Sequence, residues 1–114
     1  MPYLCIQTNV SVSDNQSPTL LKKISASVAE MLGKPESYVM VALESATPLV
    51  FGGSDQPAAY LQLKSLGLPE SATEEFSRFL CELMQSELTI PVERVYIEFS
   101  GPQRHMWGWN NKTF

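Results

Sequence analysis

The chain has 114 residues, 44% of them hydrophobic and 18% charged, with a net charge of −4, a size and mix that suit one globular domain spanning residues 1-114. The Lys and Arg residues are scattered, which argues against nucleic acid and against anionic membranes as partners. No apolar run approaches the roughly 20 residues that span a bilayer, and no basic region followed by a long apolar core marks a secretory signal, which points to the cytoplasm or to unconventional secretion.

The first strand is expected over Tyr3 to Asn9, where the apolar run Tyr3-Leu4-Cys5-Ile6 reads as buried. Pro2 stands just ahead of it. If Met1 is removed, the amine at the start of a buried strand is the secondary amine of Pro2. An α-amino group titrates near 7.7–8.0, and burial or a nearby cation lowers that value, so such an amine can act as a neutral base. The plainer alternative is a rigid start to a strand, where the missing N–H costs nothing.

Ser11 to Ser17 reads as a polar loop. Ser17 is expected to cap a first helix with Pro18 in its first turn, and Leu20, Ile24, Val28 and Leu32 form its apolar stripe. Gly33 ends it and Pro35 prevents its continuation. Tyr38 to Leu43 is expected to be a second buried strand. Pro48 to Pro57 is a loop around Gly52-Gly53, and no helix follows directly, so a phosphate-cradling loop is disfavoured.

Ala59 to Ser65 is the third strand, broken by Gly67 and Pro69. Ser71 with Glu74 suggests a capping box ahead of a second helix whose stripe is Phe76, Leu80, Met84 and Leu88. Pro91 stops it, and Val95 to Phe99 is the fourth strand. The tail Met106-Trp107-Gly108-Trp109 alternates as a short strand would. Cys5 and Cys81 lie far apart in apolar stretches and read as reduced core residues. With one histidine and no Cys pair, nothing suggests a zinc site.

The chain also contains an internal repeat. Pro35 and Pro91 lie 56 residues apart (91 − 35), and the same offset pairs Leu20 with Phe76, Ile24 with Leu80, Val28 with Met84, Val39 with Val95 and Val41 with Ile97. A β-α-β unit used twice predicts an α+β fold, a four-stranded sheet with both helices on one face and parallel strands within each unit. The strands are apolar at consecutive positions, so both sheet faces are expected to need burial. No loop is long enough to cover the second face, which implies self-association.

Pro2, Thr8-Asn9-Val10, Gly33-Lys34-Pro35 with Tyr38, Phe51-Gly52-Gly53-Ser54, Ser65 with Gly67, Arg94-Val95-Tyr96-Ile97 and Gly108-Trp109-Asn110-Asn111 with Thr113-Phe114 follow one another at nearly constant spacing. In these the chain resembles the macrophage migration inhibitory factor family of the tautomerase superfamily. The resemblance implies a homotrimer with sites at subunit boundaries and keto–enol tautomerisation of small aromatic 2-keto acids such as phenylpyruvate, or of dopachrome analogues, with no metal or organic cofactor. It implies that Pro2 is the catalytic base and that Lys34 holds the substrate carboxylate and lowers the amine's pKa. By the same resemblance, Tyr96 of a neighbouring subunit lies close to Pro2. Ser65 and the Leu66 backbone would contact the acid, and Tyr38, Trp107, Trp109 and Phe114 would wall the pocket. Read without the family, Lys34 is a solvated cation at a helix C-terminus, and the aromatics are core or packing residues.

The departures have consequences of their own. Vertebrate members carry a Cys-x-x-Cys pair where this chain has Ala58-Ala59-Tyr60-Leu61, so thiol–disulfide activity is not expected. Lys64 replaces a family histidine. Glu98 replaces a pocket asparagine, where a carboxylate would favour the protonated amine and repel an anionic substrate. A cytokine-like receptor-binding role, known for animal members, is the alternative function. Hydration or dehalogenation of unsaturated acids elsewhere in the superfamily uses a proline near arginines, for which Arg104 is the one candidate.

Overall fold

A computed structural model describes residues 1–114. The chain runs β1 (Pro2–Thr8), α1 (Ser17–Leu32), β2 (Met40–Glu44), β3 (Ala59–Ser65), α2 (Thr73–Leu88), β4 (Val95–Ser100), β5 (Gly108–Trp109) and β6 (Lys112–Thr113), with single 3-10 turns before β2, α2, β4 and β5. The first four strands form one sheet in the order β2-β1-β3-β4. β1 and β2 are parallel, as are β3 and β4, and the two pairs meet through antiparallel β1 and β3. This is the doubled β-α-β arrangement that the repeat predicts. No helix is long and apolar enough to cross a membrane.

The core lies between the sheet and the helices. Leu4 and Ile6 of β1 and Leu61 and Leu63 of β3 point to one face, where they meet Ile24 and Val28 of α1 and Leu80 and Met84 of α2, all fully buried. Each such side chain contributes about 1.5–3 kcal/mol of burial. Thr8 and Ser65 are the polar exceptions on this face, and the Thr8 Oγ1 donates to the Ala58 carbonyl at 2.7 Å.

The expectation of an apolar second face is not met. Strand register places Tyr3, Cys5 and Gln7 beside Lys64, Gln62 and Tyr60, and these beside Ser100, Glu98 and Tyr96. That face is amphipathic and partly exposed. The apparent apolarity arose from counting Tyr and Cys as core residues, although Tyr carries a polar tip. The strand expected over Tyr38 to Leu43 is also different, since Tyr38 sits in the 3-10 turn and β2 starts at Met40, whose side chain is exposed. As an edge strand, β2 is paired on one side only.

Neither expected helix cap forms. Gln16, not Ser17, precedes α1, and it makes no side-chain cap. A 3-10 turn over Glu70–Ala72 takes the place of the Ser71–Glu74 box, so local backbone bonds satisfy the first amides instead. At the other end Gly33 behaves as expected. Its φ is 64°, and the Gly33 and Lys34 amides donate to Glu30 and Ala29 carbonyls. Thr89, which stands 56 residues beyond Gly33 in the repeat, takes the same left-handed conformation at φ 56°.

The tail is a hairpin rather than a strand over Met106 to Trp109. Met106 belongs to a 3-10 turn, and only Gly108–Trp109 pairs, with Lys112–Thr113. Asn110 and Asn111 make the turn at φ 54° and 63°, the left-handed pair that a two-residue hairpin requires.

Candidate active site

Pro2 opens β1 and is buried, with Ser65 opposite it on β3. Lys34 reaches the same corner because the left-handed Gly33 turns the chain out of α1. Its Nζ donates to the Leu66 carbonyl at 2.7 Å. The Ser65 hydroxyl is buried and directed at that same carbonyl at 3.4 Å. Three sequence-predicted residues, Lys34, Ser65 and Leu66, therefore meet at the end of β3 beside Pro2. The amino group of Met1, one residue ahead, is held below its ordinary value by burial first and by the Lys34 charge and hydrogen bond second.

Two adjoining cavities open at this corner, and Met1, Tyr38 and Phe114 line both. One, of about 460 Å³, adds Lys34, Leu66 and Arg104. The other, of about 560 Å³, adds Pro2, Tyr3, Lys64, Trp107 and Trp109. Trp109 stacks on Phe114 with ring centroids 5.6 Å apart and meets Tyr38 edge-on at 5.9 Å. The tail hairpin makes this wall by holding Trp109 over the end of the sheet. No Asp or Glu side chain lines either cavity.

The chain does not bring Tyr96 or Glu98 to this groove. Both lie on β4, two strands from β1, and Tyr96 pairs with Tyr60 at the end of the sheet away from Pro2. Tyr96 is 65% exposed and rests against Phe51, with centroids 4.6 Å apart. Glu98 is exposed opposite Gln62. Within one chain neither reaches Pro2, so only another copy can supply them there.

Lys64 and Arg104 line the groove although sequence reasoning gave neither a part in this reaction. Period-two alternation with Gln62 was a signal for the face on which Lys64 lies. Arg104 follows Pro102 in an irregular segment and carried no periodic signal.

The Gly52-Gly53 loop is fastened from beneath by Arg94. Its guanidinium donates to the carbonyls of Phe51, Ser54, Gln56 and Pro57 at 3.0–3.1 Å and lies 5.1 Å from the Phe51 ring centroid. Asn9 adds side-chain bonds to Asp55, Gln56 and Ala58. A separate cleft of about 560 Å³ lies between the start of α1 and the end of α2, but its two charges, Lys23 and Glu87, pair with each other at 2.7 Å.

The sequence pattern of the family described as macrophage migration inhibitory factor matches residues 1–114. The chain belongs to the macrophage migration inhibitory factor family. It is 40% identical to the macrophage migration inhibitory factor homolog of Brugia malayi, over 100% of this chain and 99% of that one. The macrophage migration inhibitory factor of Xenopus laevis is 32% identical over the same shares. Among solved structures, the family homologue from Prochlorococcus marinus superimposes with a TM-score of 0.90 at 39% identity, covering 98% of each chain. The protein from Trichinella spiralis gives 0.89 at 35% identity, over 98% of this chain and 99% of that one. The doubled fold and the family's length are thus shared throughout.

Proposed function

We propose that this family member is a keto–enol tautomerase whose base is the amine of Pro2, freed by removal of Met1. The observation that carries the reading is the electrostatic setting of the chain's amino end. The amino group of Met1 is partly desolvated and faces the Lys34 ammonium, and both lower its pKa. An amine one residue further in, at buried Pro2, is subject to the same two effects. A neutral amine can then accept a proton near physiological pH.

The substrate is a small 2-keto acid with an aryl group, such as phenylpyruvate. Lys34 attracts its carboxylate beside the Leu66 carbonyl and the Ser65 hydroxyl, while Tyr38, Trp107, Trp109 and Phe114 take the ring. The Pro2 nitrogen removes a proton from C3. The C–H electron pair becomes the C2–C3 double bond, and the keto oxygen takes a proton from water. The prolinium returns its proton to the hydroxide left behind, so the net change is an isomerisation. Electrons are neither gained nor lost, and the chemistry calls for no cofactor. In the proposed homotrimer Tyr96 of a neighbour closes the site over Pro2, and Glu98 of the same neighbour stands at its rim.

The test is to insert Ala between Met1 and Pro2. This turns the Pro2 nitrogen into a permanent amide, which cannot act as a base. Phenylpyruvate tautomerase activity should vanish while circular dichroism and sedimentation stay as in the parent, because strand pairing does not use that nitrogen as a donor. An inserted variant that is folded and turns over at the parent rate refutes the mechanism. Intact mass of the parent must also show the loss of Met1.

A further inference from the structure

We propose that the preferred substrate is a 2-oxo acid bearing a second, distal carboxylate, and that Lys64 is the residue that recognises it. The inference rests on the tautomerase reading of the groove and specifies its substrate class.

The chain has 12 acidic residues against 8 Lys and Arg. Yet Lys34, Lys64 and Arg104 line the two adjoining cavities and no acidic side chain does. The three are also little engaged by the protein. Lys34 donates to the Leu66 carbonyl and lies against the Met1 amino group, and Arg104 donates only through Nε, to an oxygen of Phe114 at 3.3 Å. Lys64 makes no hydrogen bond or ion pair, although its side chain is half-buried. Lys23 pairs with Glu87 and Arg94 with four carbonyls, and the remaining cations, Lys22, Arg78 and Lys112, are exposed to water, unlike Lys64.

Position separates the three into two groups. Lys34 and Arg104 share one cavity, whereas Lys64 lines the other together with Pro2. A monoanionic keto acid can satisfy the first group and leaves Lys64 without a bound anion in the second cavity, where the only acidic side chain that the proposed trimer brings is the neighbour's Glu98 at the rim. A diacid can place its 2-oxo carboxylate at Lys34 and Arg104, its C3 at the Pro2 nitrogen, and its distal carboxylate at Lys64. The aromatic walls of both cavities accept an aryl spacer between the two charges.

The experiment compares phenylpyruvate with its meta- and para-carboxyphenyl analogues, which keep the ring and add one charge. In the parent protein, kcat/KM for at least one analogue should exceed that for phenylpyruvate by about tenfold at low ionic strength, and added salt should shrink the advantage. Lys64→Gln should bring the ratio near one, and Lys64→Arg should retain it. Arg104→Gln should weaken all three compounds together and leave the ratio in place. A parent enzyme that does not prefer either analogue overturns the proposal, as does a preference that survives Lys64→Gln. If no compound is turned over, the tautomerase reading fails separately. Quenching of the Trp107 and Trp109 fluorescence then decides the substrate class alone. Tighter binding of an analogue that is lost in Lys64→Gln supports the diacid, and equal binding of all three overturns it.

Discussion

Lys34 sits where one ammonium can serve two purposes. Its charge reaches the amino group of Met1, one residue ahead of β1, and lowers that group's pKa, and the same charge faces the cavity where a carboxylate would lie. The two purposes separate under mutation. Lys34→Gln removes the cation, so the amine's pKa should rise. A base works only when unprotonated, so activity is present above its pKa and lost as pH falls through it. The acid limb of kcat/KM should therefore move to higher pH in the variant, with KM also raised. An acid limb that stays in place, with only KM changed, would mean that Lys34 binds substrate without tuning the base. Cys81 has a different electrostatic setting. Burial is the largest effect on its thiol and raises its pKa, with Glu82 adding to this and Ser77 opposing it, so it is a poor thiolate at neutral pH.

At the scale of elements, the two β-α-β units solve the same helix ending with different residues. Gly33 and Thr89 occupy equivalent places, both left-handed, and only glycine adopts that conformation without a Cβ penalty of about 1–2 kcal/mol. Thr89→Gly should stabilise the fold by about 1 kcal/mol after allowing for the extra freedom of glycine in the unfolded chain. That corresponds to a Tm increase of several degrees. Gly33→Ala should cost about the same, because an added Cβ meets nothing within 4 Å and only the backbone term changes. Urea titration of both variants checks the pair, and opposite signs are required. Arg94 organises the loop between the units, where one guanidinium serves four carbonyls. Arg94→Ala should cost about 2–3 kcal/mol, and the loop from Pro48 to Pro57 should become sensitive to protease. Arg94→Lys should recover less than half, since an ammonium cannot span four acceptors in a fixed fork.

At the scale of the whole molecule, the sheet ends in two unlike edges, β2 and β4. Met40 on one and Tyr96 on the other are each 65% exposed. Unlike edges can join head to tail, and such contacts close into rings rather than into a two-fold pair. The groove at Pro2 opens toward β2, with Met40 on its wall, so an incoming β4 would bring Tyr96 and Glu98 of a neighbour to it. We expect a homotrimer, seen in sedimentation as one species at three times the chain mass. A stable monomer at micromolar concentration would refute both the ring and the shared site. Met40→Asp, which puts a charge at the seam, should shift the protein toward monomer and reduce activity together.

Sequence alone determined the two helices, the four strands of the main sheet and their order along the chain. A repeat of 56 residues, two apolar helical stripes and the breaks at Gly33, Pro35, Gly67 and Pro91 are local signals, and local periodicity is what sets helix and strand identity. β3 came out with its expected bounds, and the corner where Pro2 and Lys34 meet joins two positions that the sequence singled out. Tertiary structure decided what depends on two segments meeting. Register showed the second sheet face to be mixed rather than apolar, since alternation sorts Tyr3 from Leu4 only once β1 is laid beside β3. The capping box gave way to a 3-10 turn that follows Pro69 and bonds its own backbone. The groove itself joins the start of β1, the end of α1, the end of β3 and the tail hairpin. Lys64 and Arg104 become part of it because those ends converge in space, a placement fixed by long-range pairing and not by any spacing along the chain.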